Sequence, residues 1–238
     1  MKLWRMLEPF DTTYAEAWLR SPARLVKPAT CDYCGRDAEY EDPRPLVLEW
    51  EPGSDVVGDF VWPDGSRVAV QRRAFDIISS HFAGIEAGAV EMVQDPKLRR
   101  PTRKTKQTKP RVWLPYEGPD LVELWVQHAV PLAPGSVKEI SSHCRKCGRA
   151  LWNWSGVEVK EHRWDQEQKR LVPRYTPRDP NRGLRIAASD VAANPIFRAI
   201  ESPAAIFCTD QVKALIEGEQ LTNIDFLDYG ELIYFGSL

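Results

Sequence analysis

One short motif occurs twice in the chain and constrains its fold more than any other feature of the sequence. Cys31-Asp32-Tyr33-Cys34-Gly35, the first knuckle, and Cys144-Arg145-Lys146-Cys147-Gly148, the second knuckle, share the pattern CxxCG. A CxxC turn places two thiols on one side of a tight loop, and the glycine after it can adopt a positive φ. A site built from both knuckles has to bring distant parts of the chain together.

Four thiolates from two CxxC turns are a common ligand set of a structural zinc ion. Two other interpretations stay open, namely a redox-active CxxC and two separate disulfides. A thioredoxin-like redox site lies at the start of a helix, and neither knuckle is followed by a convincing apolar helix. We therefore predict one structural Zn²⁺ bound by Cys31, Cys34, Cys144 and Cys147.

The remaining cysteine and the histidines do not form a second recognisable site. Cys208 lies in an apolar strand pattern, which predicts a small buried side chain. His143 precedes Cys144, but four cysteines already complete the metal shell. The sequence contains no HExxH motif and no GxxxxGK[ST] or GxGxxG loop. We therefore expect the protein not to be an enzyme.

Composition places the chain among globular proteins, because 43% of its residues are hydrophobic and 28% are charged. No apolar run approaches the roughly 20 residues that span a membrane, and residues 1–10 lack the apolar stretch of a signal peptide. The cysteine pattern fits a reducing compartment better than a disulfide-rich secreted domain. We expect a cytoplasmic protein that does not bind membranes.

Charges are segregated into blocks that the net charge of -2 conceals. Eight acids lie between Asp37 and Asp59, against the single base Arg44. The basic segment, Lys97 to Arg111, contains eight bases and no acid and is framed by prolines, which predicts an exposed linker or loop. After residue 213 the chain has acids but neither lysine nor arginine.

Two stretches share a strand-helix-strand pattern, and internal similarity of this kind constrains architecture. The first unit, residues 68–93, has apolar residues at helical spacing between two short apolar runs. The second unit, residues 205–227, repeats this order, with Thr209 as a candidate helix cap. The predicted strands are residues 68–70, 90–93, 206–208 and 224–227.

Each unit follows one knuckle, so we interpret the chain as two similar halves. We predict an α+β fold in which two similar strand-helix-strand lobes are joined through a zinc-ribbon-like element. A chance likeness between two short units stays open as the alternative. The predicted division is an N-terminal lobe at 1–95, a basic linker or exposed loop at 96–111 and a C-terminal lobe at 112–238.

Several segments besides the knuckles carry a family resemblance. They are Asp59-Phe60-Val61-Trp62-Pro63, Val90-Glu91-Met92-Val93 and the basic segment that follows. With both knuckles, they resemble the myxobacterial double-CXXCG motif family, immunity proteins of swarming-inhibition toxin systems. The resemblance covers most of the chain. Residues 194–198 through 225–227 are also similar to a wider class of small bacterial immunity domains.

This resemblance implies a protein that binds the C-terminal domain of a cognate toxin, encoded by an adjacent gene, and blocks its activity. A nuclease toxin would have a basic cleft, which an acidic surface could occupy. The alternative is a zinc-ribbon nucleic-acid-binding protein that uses the basic segment 97–111. Candidate partner-binding residues are Glu39, Glu41, Asp42, Glu217, Glu219, Asp225 and Asp228.

Overall fold

The structure, a computed structural model, describes residues 1–9, 12–36, 38–136 and 138–234. Asp37, the first acid of the N-terminal acidic block, and residues 235–238 of the predicted C-terminal lobe lie outside the described residues. In the described part, strands dominate and form several small sheets, with three helices. The mixed α and β composition agrees with the predicted class.

The first ten strands are β1 (Lys2–Leu7), β2 (Ala17–Leu19), β3 (Arg24–Lys27), β4 (Glu39–Glu41), β5 (Leu46–Trp50), β6 (Phe60–Val61), β7 (Ala69–Gln71), β8 (Ile85–Gly88), β9 (Val90–Met92) and β10 (Leu121–Val126). The others are β11 (Ala129–Val130), β12 (Lys138–His143), β13 (Ala150–Trp154), β14 (Val159–Asp165), β15 (Arg170–Thr176), β16 (Leu184–Ala187), β17 (Ile196–Ala199), β18 (Ser202–Thr209) and β19 (Asp225–Ile233). The helices are α1 (Arg72–His81), α2 (Ala188–Val191) and α3 (Asp210–Gly218).

The largest sheet has six strands in the order β11-β17-β18-β1-β19-β16. Strand β1 lies antiparallel between β18 and β19, so that Leu3 is opposite Thr209 on one side and Gly230 on the other. Leu3 is fully buried. The beginning of the chain thus occupies the middle of a sheet whose other strands come from its second half.

Two smaller sheets are built around single buried strands. Strand β10 is at the interior of the sheet β6-β7-β10-β8, and β5 lies between β2 and β9. Strand β5 alternates fully buried residues, Leu46, Leu48 and Trp50, with partly exposed ones, as a strand with one covered face does. The remaining strands pair as the hairpins β3–β4, β12–β13 and β14–β15.

Both predicted units adopt the same strand arrangement. In the first, β7 and β8 flank the antiparallel strand β10, with α1 between them in sequence. In the second, β18 and β19 flank the antiparallel strand β1, with α3 between them in sequence. The strand that closes the first unit is β8 rather than the predicted 90–93, because β9 pairs with β5 in another sheet. Ile85-Glu86-Ala87-Gly88 lacks the β-branched run that would predict this strand.

The helices of the two units pack into one apolar cluster. Helix α1 contributes Phe75 and Ile78, and α3 contributes Val212 and Ile216. Burying each such side chain stabilises the fold by about 1.5–3 kcal/mol. The two units therefore share a core, whereas the predicted joining of two lobes through the knuckles stays an interpretation. The boundaries at 95/96 and 111/112 stay predictions, and the pairing of β1 with β18 and β19 crosses them.

Helix α3 begins after Thr209 as predicted, but the Thr209 hydroxyl does not cap it. Thr209 ends β18 with its Oγ1 buried and without a hydrogen-bond partner among the described residues. Asp210 instead accepts hydrogen bonds from the backbone N–H of Lys2 and from Trp4 Nε1. Its negative charge lies in the first turn, where the helix dipole favours it. None of the described helices is long and apolar enough to cross a membrane.

Candidate metal centre

The two knuckles form the turns of two β-hairpins. The first lies between the paired strands β3 and β4, and the second lies between β12 and β13. Neither turn leads into a helix, which argues against a thioredoxin-like CxxC as the sequence analysis expects. Two hairpins that meet at their turns are compatible with a zinc-ribbon-like element.

The backbones of the two knuckles fold alike. The Gly35 N–H donates to the Cys31 carbonyl at 2.9 Å, and the Gly148 N–H donates to the Cys144 carbonyl at 2.8 Å. Gly35 has φ +67° and Gly148 has φ +72°, in the left-handed region that favours glycine. No other atom lies within 4 Å of where a Cβ would stand at either position, so backbone conformation rather than space selects glycine there.

The four knuckle cysteines lie together and can hold one metal ion. Their sulfur atoms are all within 4.8 Å of one another. The Cys31 and Cys144 sulfurs are 3.9 Å apart, and the Cys34 and Cys147 sulfurs are 3.5 Å apart. In a tetrahedral site with Zn–S bonds of about 2.3 Å, the sulfurs are separated by about 3.8 Å. The arrangement of the thiols thus fits a tetrahedral ion, and all five cysteines are free thiols.

The site has a buried side and an exposed side. Cys31 and Cys144 are buried, Cys34 is half-buried and Cys147 is exposed. A hydrogen bond from the Cys147 N–H lowers the pKa of Cys144 to about 6, although burial opposes this effect. A hydrogen bond from the Cys34 N–H lowers the pKa of Cys31 in the same way. Burial, aided by the Cys147 thiol, raises the pKa of Cys34 to about 12. Binding of a cation by all four thiolates would therefore release the Cys34 proton near neutral pH.

The middle residues of the knuckles hold the two turns together. Asp32 in the first knuckle forms an ion pair with Lys146 in the second. The guanidinium of Arg145 lies 4.4 Å from the centre of the Tyr33 ring, in a cation–π contact. The CxxCG pattern leaves these positions unspecified, although their types, an acid and an aromatic residue against two bases, are complementary. These contacts connect the two knuckles without involving the thiols.

His143 and Cys208 lie outside the cluster of four thiols. His143 is exposed and is not among the residues that can hold the metal ion. Cys208 is fully buried in the apolar cluster shared by the two units, and burial raises the pKa of its thiol. Neither residue contributes to the Cys₄ site.

The candidate acids near the first knuckle belong to the hairpin that carries it. Glu39 forms an ion pair with Lys27 at 2.5 Å, and Glu41 forms one with Arg24 at 3.4 Å, each across the β3–β4 ladder. The two carboxylate side chains remain 61% exposed, so a partner can still reach them. Asp42 follows the hairpin and is half-buried.

The candidate acids of β19 neutralise bases of the chain itself. Asp228 is buried and pairs with Arg178 at 2.7 Å and with Lys2 at 3.0 Å. Asp225 pairs with Lys160 and accepts a hydrogen bond from the Tyr175 hydroxyl. These two carboxylates thus tie β19 to neighbouring segments.

Glu217 and Glu219 are exposed at the C-terminal end of α3. Glu217 forms an ion pair with Lys213 one turn earlier in the helix. The helix dipole disfavours acids at this end, so stability alone does not explain their presence. Among the seven candidate acids, these two and the β4 pair remain the most accessible.

The basic segment lacks helix and strand and is largely exposed, as predicted, but its last residue is not. Arg111 is only 6% exposed, lies 3.6 Å from Glu49 and donates a hydrogen bond to the Trp50 carbonyl. A run of like charges does not show which member the fold buries, so the sequence did not predict the burial of Arg111. The end of the segment is therefore anchored to β5.

A closed Cys₄ shell supports structure rather than chemistry, because four protein ligands leave no coordination position for water or substrate. The chain matches no model of a known protein family and no functionally characterised protein in comparisons of sequence.

Proposed function

We propose that this protein is an immunity protein that binds and neutralises a cognate toxin, and that one structural zinc ion stabilises its binding scaffold. The observation that carries the metal proposal is the close approach of the four sulfurs, all within 4.8 Å of one another. The immunity role rests on the family resemblance of the knuckles and the segments between them. The two parts of the proposal are tested separately.

Zinc suits the site better than other common ions. Tetrahedral sites with four sulfur ligands bind zinc or iron, whereas calcium and magnesium prefer oxygen. Zinc has no redox chemistry of its own, which suits a site that only connects two hairpins. Because the ion would bind the native arrangement and not the unfolded chain, its binding energy would stabilise the fold.

A stiff scaffold suits an inhibitor that acts by occupying a surface. Binding costs less conformational entropy when the surface is already ordered. Glu217 and Glu219 offer exposed negative charge on a helix that is anchored in the core by Val212 and Ile216. Such a surface complements a basic cleft and accelerates encounter with it. We assign the end of α3 as the inhibitory surface ahead of β19, whose acids Asp225 and Asp228 are less exposed.

Co-expression with the product of the adjacent gene tests the immunity role. We expect the two proteins to elute together at a fixed ratio from a sizing column and the toxin activity to disappear in the complex. Glu91→Lys is a suitable control for charge-reversal variants of the α3 surface, because Glu91 is an exposed acid of β9 outside that surface. Separate elution and undiminished toxin activity would contradict the proposal.

A second candidate function is nucleic-acid binding by the basic segment. The exposed bases Arg99, Arg103 and Lys106 favour it, since they can contact phosphates. Purified protein that retains nucleic acid and loses it steeply as salt increases would support this function. Inhibition of the toxin with no nucleic acid retained would leave the immunity role as the better proposal.

A further inference from the structure

A cavity of about 330 Å³ lies between the basic segment and the loop before β10. Its volume is at the lower end of the range of ligand pockets, about 300–1,000 Å³. One wall is held in place by a hydrogen bond from the Gly53 N–H to the Pro110 carbonyl, at 2.7 Å. The cavity is distant in sequence from both knuckles and belongs to no part of the metal site.

Bases outnumber acids around this cavity. Arg100, Lys104, Lys109 and Arg111 line it, against two acids. The acids compensate this charge weakly, because Arg100 is 3.7 Å from Glu117 and Lys104 is 3.9 Å from Asp55, both at the surface. The cavity is therefore suited to an anion.

The buried Arg111 adds a second, independent observation. Its Nε is buried and has no hydrogen-bond partner among the described residues. Its acidic neighbour Glu49 is already bound by Arg20, at 2.9 Å from the Arg20 Nη2. Burial raises the pKa of Glu51, and the nearby positive charge of Arg111 only partly offsets that effect. A buried guanidinium with an unused donor is costly, and an anion in the cavity would offset part of its charge.

An aromatic ring lies beside these bases. Trp113 lines the cavity and is half-buried, and the Arg111 guanidinium lies 5.6 Å from the centre of its ring. Val57 and Val112 add apolar surface to the lining. Cations together with an aromatic and apolar wall match a ligand that has both a phosphate and a planar ring.

We propose that this cavity binds a nucleoside phosphate, with its phosphate near Lys104 and Lys109 and its base against Trp113. The ligand is either a free mononucleotide or one nucleotide unit of a single strand. The site is additional to the metal centre and does not depend on the immunity role. Arg111 holds the wall of the cavity and contributes positive charge from beneath.

Calorimetric titration of the zinc-loaded full chain tests the site. The probes are adenosine 5′-monophosphate, adenosine and a short single-stranded oligothymidylate. We expect adenosine to bind about tenfold more weakly than its monophosphate, because it lacks the charge that the lysines recognise. Binding of the monophosphate assigns a free nucleotide. Binding of the oligonucleotide alone assigns a strand.

Two lysine variants separate the cavity from general electrostatic attraction. Lys109 lines the cavity, whereas Lys106 is an exposed lysine of the same segment that does not. We expect Lys109→Gln to weaken binding of the preferred probe by about fivefold and Lys106→Gln by less than about twofold. Equal losses in the two variants, or no binding of either phosphorylated probe, would overturn the proposal. Since both lysines are exposed, unchanged thermal unfolding of both variants is expected.

Discussion

Asp32 of the first knuckle and Lys146 of the second form an ion pair although 114 positions separate them in the chain. Each occupies a middle position of its CxxC turn. Tyr33 and Arg145, at the other two middle positions, also contact each other across the site. Two contacts between the middle positions thus connect the turns, in addition to the approach of the four thiols.

Reversing this ion pair should alter metal affinity. Asp32→Lys places a positive charge beside Lys146 and Arg145 and should weaken zinc binding by a few-fold, since exposed pairs contribute about 0.2–1 kcal/mol. Asp32→Lys combined with Lys146→Asp restores opposite charges and should recover most of the loss. Competition with a chromophoric chelator measures both affinities. A double variant as weak as the single one would show that the pair does not align the knuckles.

Loss of one ligand should destabilise the fold more than loss of another cysteine. We expect Cys31→Ser and Cys147→Ser to abolish stoichiometric zinc and to lower Tm by about 10 °C, because the ion stabilises only the native state. Cys208→Ala removes a core thiol but no ligand and should retain one zinc per chain. Metal analysis and thermal unfolding measure these effects. Full metal content in the serine variants would refute the assignment.

The pattern of the knuckles was sufficient to predict that four thiols come together. Two identical CxxCG turns allow few arrangements, and the four thiols meet as predicted. The two helices and three of the four strands of the repeated units also follow from apolar spacing. Local periodicity is a strong signal wherever a helix or strand buries one face.

The sequence did not predict which strands pair in the same sheet. The pairing of β1 with β18 and β19 is a long-range contact that no local pattern encodes. For the same reason the sequence did not show that β8, which pairs with β10, closes the first unit, whereas β9 pairs with β5. Charge blocks predicted exposed surfaces but could not reveal that Asp228 pairs internally or that Arg111 is buried, since burial depends on which segments pack together.

Glu8 should make stability depend on pH. Burial, with the nearby carboxylates of Glu16 and Glu51, raises the pKa of Glu8 from 4.5 to about 7. The folded protein therefore binds this proton more tightly than the unfolded chain does. The resulting stability is fully present below the unfolded pKa of 4.5 and is lost as the pH rises through the folded pKa of about 7.

A Glu8→Gln variant tests this dependence. It should stabilise the protein by on the order of 1 kcal/mol near pH 8, after allowance for solvent screening, and have little effect near pH 4. Glu91→Gln, at an exposed acid of β9, should not reproduce the change. Urea unfolding at both pH values measures the difference. A pH-independent effect of Glu8→Gln would contradict the predicted titration.

A substitution at Glu219 distinguishes an effect on the stability of the fold from an effect on toxin binding. Glu219→Lys replaces an acid that the dipole of α3 disfavours and should leave the free energy of unfolding unchanged or raise it by about 0.3–1 kcal/mol. The same variant should weaken the complex with the toxin, whereas Glu91→Lys should not. Thermal unfolding and calorimetry measure the two effects. Undiminished binding would remove the end of α3 from the inhibitory surface.

The position of β1 determines when the six-stranded sheet can form during synthesis. During synthesis β1 leaves the ribosome long before β18 and β19, and Trp4 meets its partner Asp210 only 206 residues later. Until then the backbone donors and acceptors of this apolar strand have no permanent partners. The six-stranded sheet cannot close before residue 233 has emerged, whereas β7, α1, β8 and β10 can already pair. Strand β1 is thus among the last strands to pair with its neighbours.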